Sequence, residues 1–215
     1  SLRKLYGGRY REIQQDLTCG KNVINNIFER ELLTNEFMSS EHFRLTGEVV
    51  PTSGPWHGRI HEYWFPVQQA HLFRESEPGN RGFTCFHTPS RLRGPASTIL
   101  HSLTCAICSN LLCTCQAPLT PRQHSPYAFI IHAQEPMSHF WGIRLQSSTP
   151  DRLWVNVDAI RQFAQPMNDA TLLQELYSLG EADATGISVP HHVTILRGPR
   201  PSPAQLDGLA EISAL

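Results

Sequence analysis

Residues 138–160 read SHFWGIRLQSSTPDRLWVNVDAI. Two runs rich in β-branched and aromatic residues, FWGIRLQ (140–146) and RLWVNVDAI (152–160), flank the turn residues STPD (148–151), the pattern of an antiparallel hairpin. Just upstream, YAFIIHA (127–133) reads as a third strand. Downstream, DATLLQELYSLG (169–180) carries Leu172, Leu173, Leu176, Tyr177 and Leu179 and stops at Gly180, which predicts a helix with a glycine end signal. HHVTILRG (191–198) is a further strand. RPSPAQLDGLAEISAL (200–215) is a Pro-led tail with one short helix. Near the N-terminus, residues 19–33 place Val23, Ile24, Ile27, Phe28 and Leu32 at spacings of three and four, the apolar stripe of an amphipathic helix. The stretch 45–125 is irregular and rich in Pro, Gly, Ser and His. No internal repeat is present. A helix, an irregular middle and an antiparallel sheet with one inserted helix predict an α+β fold. The expected organisation is a single domain over 1–203, with 45–125 as an insertion and 204–215 as a tail.

The chain has 215 residues, a formal net charge of -1 and 40% hydrophobic residues, enough for one substantial core. No apolar run approaches the roughly 18–20 residues of a membrane span, and the first residues do not resemble a signal peptide. No sustained Lys/Arg stripe makes an electrostatic case for nucleic acid. A soluble, cytoplasmic monomer without membrane or nucleic-acid partners is expected. Lys4 and Lys21 are the only lysines among 18 basic residues. Compositional bias accounts for that, and so would avoidance of ubiquitin attachment, which targets lysine. Six cysteines, four of them between 105 and 115, fit a reducing compartment better than a secreted disulfide framework.

Cys19 stands at the predicted start of the first helix, in QQDLTCGKNVINNIF (14–28). A cysteine attacks as its thiolate, and a free pKa of about 8.5 leaves little of it at neutral pH. A helix start favours the anion through its N–H groups and dipole. Gly20 allows close approach of a substrate. Gln14, five residues upstream, offers a side-chain N–H that with the Cys19 amide would make an oxyanion hole. A buried structural thiol is the alternative, and Cys19 alone does not decide between them.

A thiolate also needs a base. His139 opens one strand of the hairpin and Asp158 lies near the end of the other, so the two face each other if the turn centres on 148–150. Asp158 would then accept from one ring nitrogen and leave the other toward Cys19, fixing tautomer and orientation. Asn156, two residues earlier on the same strand face, competes for this third position. His139 as a strand-edge histidine and Asp158 as a strand-end cap are the structural readings of each residue taken singly.

These stretches resemble Josephin domains, ubiquitin-specific proteases of the papain-like cysteine class. The shared features are a glutamine five residues before the cysteine and a helix with Asn25-Asn26 followed by apolar Ile27. The histidine-aromatic-aromatic His139, Phe140 and Trp141 and the strand Trp154 to Asp158 are similar too. ATLLQELYSLGEADATGISVPHHVTILRGP resembles the family's closing helix, loop and last strand. The likeness spans residues 10–35 and 127–200; the middle does not match, and MSSEHFRL (38–45) is the one remnant of the family's projecting helical hairpin. The family's third residue is usually Asn where this chain has Asp158. The resemblance implies a papain-like fold, with an N-terminal catalytic helix packed on a C-terminal antiparallel sheet. It implies a triad of Cys19, His139 and Asp158 with Gln14 at the oxyanion, no catalytic cofactor, and ubiquitin or a ubiquitin-like modifier as partner.

TCAICSNLLCTC (104–115) supplies Cys105, Cys108, Cys113 and Cys115. The CxxC pair is compatible with a zinc knuckle, with His101, Cys85 or His87 as substitute ligands, and such zinc would staple the insertion rather than act on substrate. Reduced thiols and disulfides are the other readings of this spacing. HGRIH (57–61) has histidines at i and i+4 but lacks the Glu of HExxH and sits among Pro55, Gly58 and aromatics, which favours a loop or strand. The expected function is cysteine-type deubiquitination. Two alternatives stand beside it. One is a viral or bacterial papain-like protease acting on a polyprotein or host peptide, in which case the host cytoplasm is its location. The other is an inactive, zinc-stabilised interaction module.

Overall fold

A run of ten residues with no exposed member forms the centre of the molecule. In helix α1 (Cys19–Phe28) every residue is buried. Its apolar positions explain only half of that. The polar ones are buried with partners: strand β2 (Glu12–Ile13) brings Glu12 to Lys21, Asn25 and Asn26, while Asn22 donates to Thr18. Lys21 Nζ lies 3.0 Å from Glu12 Oε2 with both side chains almost fully enclosed. Asn25 Nδ2 donates to Glu12 Oε1 (3.1 Å), which Tyr10 also contacts through its hydroxyl. Asn26 pairs with the Glu12 backbone in both directions, accepting its N–H (2.6 Å) and donating to its carbonyl (3.0 Å). Burying such groups is tolerable only with partners of this kind.

The structure is a computed structural model that describes residues 2–3, 10–14, 18–49, 84–87, 126–133, 139–147, 152–179, 191–197, 201–204 and 206–207. Strand β1 (Leu2–Arg3) pairs with β2 antiparallel. After α1 comes α2 (Asn35–Thr46), whose cap Thr34 accepts from Phe37 N–H (3.1 Å) and which ends on Gly47 in the left-handed region. The remaining elements are β3 (Thr84–His87), β4 (Pro126–Ala133), β5 (His139–Ser147), β6 (Leu153–Asn156), β7 (Gln165–Met167), helix α3 (Asp169–Ser178) and β8 (His191–Arg197). The six strands from β3 onward form one sheet in the order β3-β8-β4-β5-β6-β7, antiparallel at every pairing. The fold is thus mixed helix and antiparallel sheet, α+β. No helix among the described residues is long and apolar enough to cross a membrane.

Both faces of this sheet are buried. Ala128, Ile130, Phe140 and Leu196 pack with α1, while Phe129, Ile131, Ile143, Trp154, Val193 and Ile195 pack with Leu172 and Leu176 of α3. That explains why YAFII reads as an unbroken apolar run and not as an alternation. α1 lies on β5 across Gly142. A Cβ there would stand 2.7 Å from Val23 Cγ2 and 3.0 Å from Ile27 Cδ1.

Several boundaries differ from those the sequence predicts. α1 stops at Phe28, not 33, because Glu29 turns into the left-handed region (φ 57°) and Asn25 Oδ1 captures the N–H groups of Leu32 (2.9 Å) and Leu33 (3.0 Å). β6 ends at Asn156, so Asp158 lies in a turn past the strand. The insertion contributes β3 to the main sheet, paired with β8, and carries the end of α2. The tail expected from 204 joins the core through buried Leu206, and Asp207 pairs with Arg30. The STPD turn, Gly180, HGRIH and the cysteine cluster lie outside the described residues.

Candidate active site

Three features of α1 bear on Cys19. The residue is the first of the helix, it is in no disulfide, and no acidic residue occupies the first turn. The Thr18 hydroxyl does not cap the helix; it accepts instead from Asn22 Nδ2 (3.1 Å). The helix start thus presents its dipole to the sulfur without a competing carboxylate of its own. Cys19 is 1% exposed. Only a slender or extended substrate segment suits so enclosed a thiol.

His139 opens β5 and Asp158 follows the end of the neighbouring strand. Its Nε2 lies 2.9 Å from Asp158 Oδ1, a donor–acceptor contact of charge-assisted length. The ring also interacts with Cys19. With Nε2 committed to the carboxylate, Nδ1 is the ring nitrogen left without that partner. Burial alone would depress the His139 pKa, but the hydrogen bonds to Asp158 and Cys19 and the attraction to both as anions outweigh it. The imidazole is raised from 6.5 to about 9. That attraction is mutual, so the imidazolium favours the thiolate as the thiolate favours it.

Asp158 is fixed from several sides. Its backbone N–H donates to Asn156 Oδ1 (3.0 Å), its Oδ1 accepts from Ile160 N–H (3.1 Å), and its carbonyl accepts from Arg161 N–H (3.2 Å). These local bonds are an Asx-type turn, the reason the strand breaks where the alternation suggested it would continue. Burial pushes the carboxyl up, but the His139 hydrogen bond and charge, the Ile160 N–H and the nearby Arg161 hold it below its ordinary value.

The same turn is stitched to the N-terminal strand. Buried Arg11 donates from Nη2 to the carbonyls of Asp158 (2.9 Å) and Arg161 (2.7 Å). Gln14 N–H donates to Ala159 O (2.9 Å), which ties its backbone to the residue after Asp158. Asn156 does not meet His139. Its amide donates to Glu175 Oε1 of α3 (2.9 Å) and its oxygen holds the Asp158 backbone, so it stands behind the carboxylate. Of the two candidates for the third position, the histidine's partner is Asp158.

Cys105, Cys108, Cys113 and Cys115 lie outside the described residues, and Cys85 and His87 fall on β3. Among the described residues no group of three or more His, Cys, Asp or Glu is arranged to hold a metal ion. A cavity of about 220 Å³ lined by Arg11, Arg144 and Val157 among others does not include the cysteine, the histidine or the aspartate.

Sequence reasoning passed over Arg11 and Glu175, and met Trp141 only as part of the histidine-aromatic-aromatic motif. Trp141 stacks on the His139 ring with centroids 5.8 Å apart and planes at 14°, and its indole favours the charged form of Glu175. The signal for Glu175 was present: it occupies the i+3 position of the buried stripe Leu172, Leu176, Leu179, where an acidic residue is out of pattern. No protein-family model matches this chain, and no curated protein matches it significantly.

Proposed function

We propose that this protein is a papain-like cysteine hydrolase with a Josephin-like core, and that it removes ubiquitin from lysine side chains. The observation that carries the reading is His139, hydrogen bonded to Asp158 at 2.9 Å and interacting with Cys19 at the start of α1. Such a chain of three groups is what activates a thiol. The substrate class rests on the sequence resemblance. The enclosed setting of Cys19 agrees with it, since a tail of two glycines has no side chains to obstruct entry.

In the proposed reaction the Cys19 thiolate attacks the carbonyl carbon of ubiquitin's terminal glycine in the isopeptide bond. The Cys19 amide and the Gln14 side chain receive the oxyanion. His139, as imidazolium, gives its proton to the departing lysine amine as the C–N bond breaks, leaving a thioester. Neutral His139 then takes one proton from water, whose oxygen attacks the thioester; the C–S bond breaks to return the thiolate, and the ubiquitin carboxylic acid formed gives the second water proton to solvent.

The test is incubation with ubiquitin bearing a C-terminal thiol-reactive group, with SUMO and Nedd8 counterparts alongside and Cys19→Ala as control. The expected result is a Cys19-dependent adduct with ubiquitin. An adduct with another modifier alone would move the substrate and keep the chemistry. No adduct, with Cys19 still readily alkylated by a small reagent, would turn the reading to a peptide-cleaving protease. An inert Cys19 would remove the enzyme and leave an interaction module.

A further inference from the structure

We propose that Glu175 is a positioning residue for the Cys19–His139–Asp158 unit, acting through Asn156 on the carboxylate and through Trp141 on the imidazole. The inference rests on the proposed nucleophilic role of Cys19.

The geometry runs along two arms from one carboxylate. Glu175 is on the inward face of α3, between buried Leu172 and Leu176. Its Oε1 accepts from Asn156 Nδ2 at 2.9 Å. With its amide held this way, Asn156 presents its oxygen to the Asp158 N–H at 3.0 Å, at the point where the chain leaves β6. On the second arm the Trp141 indole favours the charged form of Glu175, and its ring lies against His139 (5.8 Å between centroids, planes at 14°). The indole also meets His191 of β8 in a perpendicular contact (5.8 Å, 89°). Trp141 is therefore set between two imidazole rings, beside the Glu175 carboxylate.

The chemistry asks for a carboxylate at this position. Both arms end in N–H groups, and a carboxylate offers them two oxygens and a negative charge. A glutamine keeps one acceptor oxygen, loses the charge and brings an NH₂ that cannot accept. An aliphatic residue offers no acceptor, and it leaves the buried Asn156 amide without its partner. The charged groups around Glu175 are Arg161, which attracts it, and Asp158, which repels it. Burial sets the net direction and holds its carboxyl above the ordinary value. A half-buried carboxylate that is out of place in an apolar stripe has a structural reason only if something it holds matters. What it holds are the neighbours of His139 and Asp158.

The test reads Cys19 itself. The pH dependence of alkylation by iodoacetamide would be measured for the native protein and for Glu175→Gln and Glu175→Leu, with thermal melts alongside. In the native protein the thiolate midpoint is expected below the roughly 8.5 of a free cysteine. In Glu175→Leu the midpoint should rise toward that value, and alkylation at neutral pH should slow by about tenfold, the scale set by small misplacements of reacting groups. Glu175→Gln should lie between the two. With a ubiquitin substrate, kcat should fall while KM holds. Should Glu175→Leu fail to fold, the near-isosteric Glu175→Gln decides alone, by an intermediate midpoint or an unchanged one. A native-like midpoint and kcat in the folded variants would overturn the inference and leave the nucleophile standing. A native Cys19 that titrates like a free thiol, indifferent to His139→Ala, would overturn the nucleophile and this inference together.

Discussion

His139 sits between two groups that are anions when it is a cation, and its raised pKa of about 9 follows from that position. The sign of the pH dependence follows too. Because the folded value exceeds the ordinary 6.5, the stability contributed by this histidine is fully present below about 6.5 and is lost as pH rises through about 9. In the proposed reaction the same proton goes to the leaving amine, so kcat should decline over the same alkaline range. Asp158→Ala removes the orienting acceptor and should lower kcat by about 10²–10⁴-fold, the usual worth of positioned acid–base catalysis. Asp158→Asn retains an acceptor oxygen but not the charge. It should keep much more activity at neutral pH, with its alkaline limb displaced to lower pH, as a pH profile of kcat would read. If both variants shared the native profile, Asp158 would have no part in the histidine's chemistry. The His139–Asp158 contact is legible in sequence because a hairpin register alone brings a strand start opposite a strand end. The Glu175 arms are not, since nothing along the chain says which helix faces which strand.

Three anchors join α1 to β5, and they run in order along both elements. Cys19 meets His139 at one end, Val23 and Ile27 close over Gly142 in the middle, and Glu29 pairs with Arg144 (2.9 Å) at the other. Gly142→Ala places a methyl group against Val23, a stiff β-branched side chain that cannot swing aside. The helix must lift, at about 1–3 kcal/mol, the scale of overpacked cores. A lowered Tm together with slower Cys19 alkylation is the expected outcome, and a native value of both would mean that the two elements are not in register through this residue. The helix is held equally from behind. Glu12→Ala removes the carboxylate that Lys21 and Asn25 meet in the core and should destabilise by about 3–5 kcal/mol, whereas the double replacement Glu12→Leu with Lys21→Met should recover most of that in denaturant titrations. Periodicity announced the apolar half of α1. It gave no hint that the polar half is buried as well, because a buried Lys and a solvated Lys look alike until a partner strand is known.

At the scale of the molecule, the sheet separates two cores and the site lies at its end, where β5 starts and β6 has turned away. The helix carrying the thiol belongs to one core and the helix carrying Glu175 to the other. The histidine and aspartate between them are the meeting point, so packing changes on either face reach the same chemistry. The α+β class, four of the five strands from 126 onward and the inserted helix are legible from apolar runs, turn residues and a single leucine stripe; β7 is not, because Gln165-Pro166-Met167 is short and holds a proline. The two-sided burial of the sheet is not, because it depends on α1 returning from far away in sequence to cover β5. In the Pro-led tail, Leu206 is buried and Asp207 pairs with Arg30, neither of which composition announces. The account as a whole depends on Cys19, His139 and Asp158 behaving as one coupled unit. The measurement that tests this most directly is the titration of the His139 ring by NMR, in the native protein, in Cys19→Ala and in Asp158→Ala. The account predicts a midpoint of about 9 in the native protein that falls in each variant, since each removes one of the two partners that raise it. A midpoint near 6.5 that neither substitution moves would contradict it.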